Sequence, residues 1–231
     1  MEKKSDCLVC GRPLVYSDRH TPKVCFLCGK SFSGHAQCSA GHFVCDRCHS
    51  LGANDLIEKS CIASEGTDPV ELARMLMGSP AVKMHGPEHH FLVPAVLLAA
   101  YCNATDKKGE KEKKIREARK RSDNVLGGFC GFYGDCGAAV GTGIFVSIVT
   151  GATPLSRKEW RLANLMTAES LRTIAMLGGP RCCKRNTFLA LGEAASFARR
   201  ELGVKIPVGR KVKCSFRHMN RECLKKECPF Y

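Results

Sequence analysis

Apolar residues recur at helical spacing along most of the chain after residue 50. Asp68-Pro69 is a helix-start signal and Gly78 a helix-end signal, so the second of these segments has both of its limits marked. The apolar positions in the two last segments predict amphipathic helices with one buried face, and we expect Trp160 in the core. The predicted helices cover 51–62, Val70–Met77, Trp160–Gly178 and Thr187–Leu202.

Two further runs carry no charge, from Phe91 to Ala100 and from Gly137 to Leu155. The second run is nearly long enough to cross a membrane, but its glycines and threonines make it a poor span. A buried helix or helix pair is the better interpretation. We therefore predict a mostly α-helical fold class with a glycine-rich helical core and no membrane partner.

Residues 1–50 differ from the rest because few of them are apolar and many are metal-binding types. Three Cys-x2-Cys pairs and one Cys-x3-His unit supply the complement of two tetrahedral zinc sites, and metal must then supply much of the folding energy. We predict a separate zinc module over 1–50 and a helical domain over 51–231. The predicted ligands are Cys7, Cys10, Cys25, Cys28, Cys38, His42, Cys45 and Cys48.

The spacing does not say how the zinc ligands pair, sequentially or cross-braced. The part from Cys38 to Cys48 resembles a RING or treble-clef finger, but the last cysteine pair of a RING is missing. His35 and His49 compete with His42 for the place of the imidazole ligand. A redox or cluster site is the alternative to structural zinc.

Later cysteines follow glycine-rich turns. Cys136 ends a run of glycines from Gly127, and Cys182-Cys183 follows Gly178-Gly179, each at the expected start of a helix. Backbone N–H groups and the positive end of a helix dipole would then face the sulfurs, which suits an anionic iron–sulfur cluster. Three more cysteines near the end either close over that site or form a further metal site. Candidate cluster residues are Cys130, Cys136, Cys182, Cys183, Cys214, Cys223 and Cys228.

Sixteen cysteines and a charged start without a signal peptide favour a cytoplasmic metal protein over a secreted disulfide scaffold. So many exposed thiols would be an oxidation hazard, which favours an anaerobic or low-oxygen cytoplasm. The formal net charge is +14, and the chain remains basic after the charge of metal-bound thiolates is counted. Acidic partners, including RNA, are therefore compatible with the composition.

Two polar segments carry candidate chemistry. His85, His89 and His90 stand with Glu88 before an apolar run, either as a hydrogen-bonded helix start or as an acid/base or metal-binding group. Lys107–Arg121 contains nine Lys/Arg against three Glu, either as a solvated helix face or as a phosphate-binding surface. The candidate nucleic-acid contacts are Lys113, Lys114, Arg119 and Arg121.

The whole chain resembles an uncharacterised domain-of-unknown-function family with a similar zinc-like front and His-Gly-Pro-x-His-His centre. Within it, residues 84–200 resemble the alpha part of iron–sulfur L-serine dehydratases and, more loosely, L-cysteine desulfidases. Three stretches in the same order carry this second resemblance: Val93–Leu98, Cys136–Gly141, and Gly178-Gly179 with Cys182–Asn186.

The dehydratase resemblance implies that Cys136 and Cys182 bind one [4Fe–4S] cluster. The family's third cysteine has no counterpart near Ile174–Leu177, so Cys183, Cys130 or a late cysteine would replace it, with Cys228 as a ligand from a tail. The family's substrate loop is replaced here by the histidine segment, and its beta domain is absent. The implied fold is a dehydratase-alpha-like helical domain behind the zinc module.

These residues support two hypotheses on function. In the first, the chain is a [4Fe–4S]-dependent lyase, desulfidase or sulfur-transfer enzyme acting on a small or sulfur-containing substrate through an open iron. His85, His89 or His90 would move the proton, and Lys184 and Arg185 would neutralise a carboxylate. In the second, the chain is an accessory module that binds tRNA or a protein, with structural zinc and a structural or sulfur-donating cluster. Either form is compatible with a homo-oligomer.

Overall fold

The computed structural model describes residues 7–45, 48, 52–209 and 211–231 of the chain. A β-hairpin comes first and helices make up most of the remainder. The strands are β1 Leu14–Val24 and β2 Ser31–Cys38. The helices are α1 Ala53–Ala63, α2 Pro69–Met77, α3 Glu88–Ala104, α4 Lys108–Ser122, α5 Phe129–Phe132, α6 Gly137–Thr150, α7 Lys158–Leu177 and α8 Cys183–Glu201.

The two strands form an antiparallel sheet that carries cysteines at its ends. Leu14 pairs with Cys38 at one end and Val24 pairs with Ser31 at the other, with an irregularity between Tyr16 and Thr21. Cys25 directly follows β1, and it forms an isolated bridge with Phe43. The hairpin therefore places cysteines from distant points of the sequence close together.

Helix α3 forms the centre of the helical part. It packs against α1, α2, α4, α6 and α8, and nearly all of its side chains are buried. Its internal Pro94 lies against α6, where a Cβ added at Gly141 would come within 2.8 Å of Pro94 Cδ. The glycine thus permits the close approach of the two helices, which supports the sequence expectation of a glycine-rich core.

The predicted helices are present in the structure. Helix α2 spans Pro69–Met77 as expected, because the Asp68 carboxylate accepts the backbone N–H of Val70 at 2.8 Å. The uncharged run after Gly137 forms one helix that ends at Thr150, where Gly151 adopts φ +72°. Helix α8 begins at Cys183 with Cys182 at the N-cap, as the glycine turn predicts and earlier than the apolar pattern from Thr187 indicates.

One core prediction is wrong. Trp160 lies in the first turn of α7 and is 52% exposed, whereas Leu162 and Met166 on the same helix are buried. Leu171 of the same helix is only partly buried. The buried face of α7 runs through Leu162, Met166, Ser170 and Ile174, which leaves Trp160 outside it.

The amino-terminal module rests on the helical part. Cys25 and Leu27 belong to the same apolar cluster as Leu56 of α1. Gly11 lies so close to Gly78, at the end of α2, that an added Cβ would overlap the Gly78 carbonyl oxygen. Among the described residues, no helix combines the length and the apolar character that a membrane crossing needs. The domain boundary near residue 50 stays a prediction.

Candidate metal centres

Two groups of four side chains could each hold a metal ion in the amino-terminal module. Within each group the ligand atoms all lie within 4.8 Å of one another. The eight residues are those predicted from the sequence. Cys7 and Cys10 join the Cys38/His42 unit, and Cys25 and Cys28 join the Cys45/Cys48 pair. The pairing is therefore cross-braced. Tetrad I is Cys7, Cys10, Cys38 and His42, and tetrad II is Cys25, Cys28, Cys45 and Cys48.

Three similar turns position these cysteines. The N–H of Gly11 donates to Cys7 O, that of Gly29 to Cys25 O and that of Gly41 to Cys38 O, each at 2.8 Å. All three glycines adopt positive φ, of +70°, +66° and +82°. A side chain would strain this backbone, so these three glycines help to position the ligands.

In tetrad I the imidazole of His42 faces the sulfurs through Nδ1. This atom lies 3.3 Å from Cys10 Sγ and 3.5 Å from Cys38 Sγ, and the two sulfurs are 3.7 Å apart. Burial lowers the pKa of His42, and Arg12 lowers it further, which favours the neutral form that binds metal. The competing candidate His49 lies outside the described residues, as does the side chain of His35.

In tetrad II the sulfurs of Cys28 and Cys45 are 3.9 Å apart. Burial raises the pKa of Cys25, but the backbone N–H groups of Cys45, Cys28 and Leu27 outweigh this and bring it to about 7. By contrast, burial raises the pKa of Cys48 to about 12. Donors around a buried sulfur favour the thiolate, which is the form that binds a metal ion. Both tetrads thus have the donor set of a structural zinc site.

The two consecutive cysteines at the start of α8 point to different neighbours. Cys182 accepts the N–H of Arg185 at 3.4 Å and lines a cavity together with Cys214, Cys223 and Cys228. Cys136 is not among the residues that line this cavity. Successive helical positions are about 100° apart, so neighbouring side chains at a helix start diverge. Cys182 therefore belongs with residues 211–231, which we call the tail segment.

Cys183 has a different set of neighbours, which includes Cys130 and Cys136. Burial raises its pKa to about 11, partly offset by an N–H···S bond from Gly86, and Cys136 and Cys130 are among its electrostatic neighbours. The side chain of Asn186 donates from Nδ2 to Cys136 Sγ at 3.5 Å. We call Cys130, Cys136 and Cys183 the loop thiol group. The structure thus associates Cys136 with Cys183, and the shared site predicted for Cys136 and Cys182 stays unsupported.

The three predicted histidines occupy different environments. His89 is buried, with Nε2 donating to Lys83 O at 3.1 Å and Nδ1 accepting from Thr187 Oγ1 at 3.2 Å. Burial lowers its pKa to about 3, so this imidazole is neutral and its two nitrogens are satisfied. These contacts are those of a structural histidine, and they leave neither nitrogen available to a substrate.

His90 lies beside the loop thiol group, whereas the side-chain contacts of His85 are with the tail segment. His85 Nε2 is 3.2 Å from Asn220 Oδ1 and 3.6 Å from Glu222 Oε2, while its Nδ1 is buried and has no hydrogen-bond partner within the described part of the chain. His90 donates from Nδ1 to Val125 O at 2.8 Å, and its ring packs against Gly137 beside Cys136. Both histidines thus keep one nitrogen unused by the hydrogen bonds described.

Lys184 and Arg185 were predicted to neutralise a substrate carboxylate, but both make internal contacts. Lys184 is fully buried, and its Nζ donates to the carbonyl oxygens of Met77 and Val82. Burial lowers its pKa to about 8. Arg185 donates to the carbonyl oxygens of Gly178 and Pro180 at 2.8 and 3.1 Å. These bonds fix the turn before α8, and in this structure neither cation is presented to a substrate.

The basic run forms α4, and several of its cations are paired with carboxylates. Arg119 lies 2.6 Å from Asp55, Arg121 lies 2.8 Å from Glu117, and Lys114 lies 3.1 Å from Glu110. Lys113 is exposed. The cations of α4 thus contribute contacts to α1 and within the helix, and binding of tRNA by this surface stays a prediction.

Sequence reasoning missed the residues that orient the candidate ligands. Asn186 was recognised only as part of a motif, although its amide contacts Cys136. Asn220 and Glu222 hold His85 from a distant segment, and periodicity carries no signal for that contact. The N–H donors of Gly86 and Arg185 were likewise hidden, because backbone contacts depend on tertiary packing.

Fold and sites together define a class: a mostly helical protein with a cysteine-rich amino-terminal module and side-chain groups able to bind metal. The chain belongs to a family of unknown function, DUF5714, whose model matches residues 57–231. No curated protein and no solved structure matches the chain. The expected membership of an uncharacterised family is thus confirmed, and nothing in these comparisons supports the resemblance to serine dehydratases.

Proposed function

We propose that this protein is an iron–sulfur enzyme of the lyase or desulfidase type, with its reactive cluster at the loop thiol group. The observation that carries the proposal is that Cys136 at the N-cap of α6 lies against the first turn of α8, where Asn186 donates to its Sγ at 3.5 Å and Cys183 is the first residue. Cys130 of α5 is, like Cys136, an electrostatic neighbour of Cys183. Three thiols cannot fill the four corners of a [4Fe–4S] cluster. One iron would then be open to a substrate.

The surroundings suit the negative charge of such a cluster. Cys136 is the N-cap of α6 and Cys183 is the first residue of α8, so both sulfurs lie at the positive ends of helix dipoles. The amide of Asn186 donates to Cys136, and the N–H of Gly86 donates to Cys183. Hydrogen bonds to thiolate sulfurs stabilise their charge and tune the potential of a cluster.

The histidine segment supplies a base, and Gly86 within it donates its N–H to Cys183. In the proposed reaction an imidazole accepts the Cα proton of a β-hydroxy or β-thiol amino acid, and the C–H electron pair forms the C=C bond. The Cβ–O or Cβ–S bond would break and the leaving group would keep its electron pair, and a cluster held by Cys130, Cys136 and Cys183 would supply the Lewis acid that stabilises it. We assign the base to His85, because its Nδ1 has no hydrogen-bond partner among the described residues and Nε2 is already held by Asn220.

The test is anaerobic reconstitution of the full chain with iron and sulfide, followed by addition of L-serine or L-cysteine. We expect the electron paramagnetic resonance spectrum of the reduced protein to change with one of these, and pyruvate with ammonia to form; L-cysteine would also release sulfide. The double variant C136S/C183S should lose both signals, whereas Cys102→Ala, which removes a buried thiol of α3, should retain them. A spectrum and a product yield unchanged in C136S/C183S would refute the proposal.

We also propose that tetrads I and II each hold zinc. The donor sets, with seven thiols and one imidazole, match structural zinc sites. Metal analysis of protein purified without added iron should give about two zinc ions per chain, which is one per tetrad. The variant C28S should lose about one of them. Iron in place of zinc in such a preparation would contradict this assignment.

A further inference from the structure

We propose that Cys182 and the three cysteines of the tail segment form a second cluster site, separate from the loop thiol group and fully ligated by protein. Cys182, Cys214, Cys223 and Cys228 line one cavity. The cofactor class that this site would take is a four-iron, four-sulfide cluster with a thiolate on every iron. This inference does not depend on the lyase proposal, because it concerns different cysteines.

Backbone donors are aimed at three of the four sulfurs. The N–H of Arg185 points to Cys182 Sγ, that of Phe216 to Cys214 Sγ and that of Lys225 to Cys223 Sγ, each at 3.4 Å. A neutral thiol is a weak acceptor, whereas a metal-bound thiolate accepts such bonds well. Three independent turns that each direct an N–H at a cysteine therefore indicate sulfurs arranged to be ionised.

The tail segment closes around the cavity by a small number of contacts. The N–H of Cys214 donates to Phe230 O at 2.6 Å, which brings the two ends of the segment together. The ring of Phe230 packs edge-on against Phe188 of α8, with centroids 5.3 Å apart. Only two short 3₁₀ turns occur between Cys214 and Phe230 in the structure as described. A bound cluster would supply the cross-link that so little secondary structure does not.

The four tail-cavity sulfurs are less tightly gathered than those of tetrads I and II. Four sulfurs around zinc lie about 3.8 Å apart, as follows from Zn–S bonds of about 2.3 Å in a tetrahedron. Among the residues that the structure describes, the ligand atoms of tetrads I and II gather within 4.8 Å of one another, and the four tail-cavity sulfurs form no such group. A four-iron cluster binds each thiolate at a different iron and so holds them farther apart.

The lining of the cavity matches the needs of such a cofactor. Met84, Phe188 and Phe216 give the cavity an apolar lining, and Arg185 and Arg217 are among its lining residues. A four-iron cluster with four thiolates carries net negative charge, which cations nearby offset. Because every iron has a cysteine, this cluster would transfer electrons or stabilise the tail segment, and it would offer no open iron to a substrate.

The test compares two double variants of the full chain after anaerobic reconstitution, with iron and acid-labile sulfide counted per chain. If both sites bind clusters, the wild type should hold about eight irons and C214S/C223S about four. Far-UV circular dichroism checks the helices, and Cys102→Ala serves as the control for removal of a thiol. Iron content unchanged in C214S/C223S would overturn the inference, and so would the loss of about one zinc with iron unchanged.

The same experiment separates this inference from the lyase proposal. Nearly complete loss of iron in C214S/C223S, with iron unchanged in C136S/C183S, would support the tail site and refute the loop site. Should C214S/C223S fail to fold, alkylation of the wild-type chain gives the answer. Cys214, Cys223 and Cys228 should be protected in the iron-loaded protein and modified after a chelator removes the iron. Equal modification in both states would refute the tail site.

Discussion

His89 shows how a single buried residue can make the stability of this fold depend on pH. Its folded-state pKa of about 3 lies below the ordinary value of 6.5, because burial disfavours the charged ring. The unfolded chain therefore binds an extra proton between these values. The contribution of His89 to stability is complete above pH 6.5 and is lost as the pH falls toward 3.

The variant His89→Gln should remove this dependence while keeping hydrogen bonds to Lys83 O and Thr187 Oγ1. Below pH 6 the free energy of unfolding should fall less steeply in the variant than in the wild type, by up to about 1.4 kcal/mol per pH unit. Urea unfolding at a series of pH values measures both slopes. Because acid also protonates metal-binding thiols in both proteins, the difference between the slopes is the relevant quantity. Parallel slopes would contradict the assignment.

At the scale of the element, the sequence pattern was sufficient for the helices and insufficient for the site. The charge-free run Phe91–Ala100 requires burial on all sides, and α3 has it. The glycine turn indicated a helix start at Cys182-Cys183, but the apolar pattern of α8 began only at Thr187, because a cysteine at the N-cap is a weak local signal compared with Asp68 before α2. Local patterns identify helices, whereas the division of Cys182 from Cys183 depends on where distant segments pack.

Asp68 is a cap that serves two elements at once. Its Oδ1 accepts the N–H groups of Val70 and Glu71 at 2.8 and 3.3 Å, and its Oδ2 accepts the N–H of Gly209 at 2.9 Å. Asp68→Ala should destabilise the fold by about 1–2 kcal/mol, because all three donors lose their acceptor. Asp68→Ser should cost less, since a hydroxyl can still cap α2. Chemical unfolding measures both variants, and equal losses would show that Gly209 contributes the greater part.

At the scale of the whole molecule, the amino-terminal module and the helical part meet through backbone as well as through apolar side chains. Gly11, in the turn after Cys7 and Cys10, lies directly against Gly78 at the end of α2. Gly29 occupies the corresponding place in the turn of tetrad II, with a similar φ of +66°, and an added Cβ there would meet nothing within 4 Å. The two glycines thus share the same backbone requirement but differ in their surroundings.

This difference gives a matched pair of variants. Gly29→Ala should cost about 1–2 kcal/mol, the penalty of a left-handed conformation for alanine. Gly11→Ala should cost clearly more, because the same strain is joined by overlap with the Gly78 carbonyl. Thermal unfolding with zinc bound, and competition with a chelator, report the two costs. If both variants melt alike, the module does not depend on this contact.

The cross-braced pairing could not be read from the spacing, since sequential and crossed tetrads use the same eight residues. It follows from the hairpin, which places Cys38 at one end of the sheet beside Leu14 and Cys25 just beyond the other end. The tail cavity could not be predicted either, because residues 182 and 214–228 are distant in the sequence and become neighbours only in the folded chain. Chain topology, rather than local composition, determines which sulfurs become neighbours.

Cys182 and Cys183 are joined by one peptide bond, yet one contributes to the tail cavity and the other to the loop thiol group. With a cluster bound at both sites, the first turn of α8 would fix the distance between the two clusters. Their separation would be set by covalent geometry, so neither centre could shift without displacing the other. An electron or a mechanical strain arriving at one would have a path of a few bonds to its neighbour.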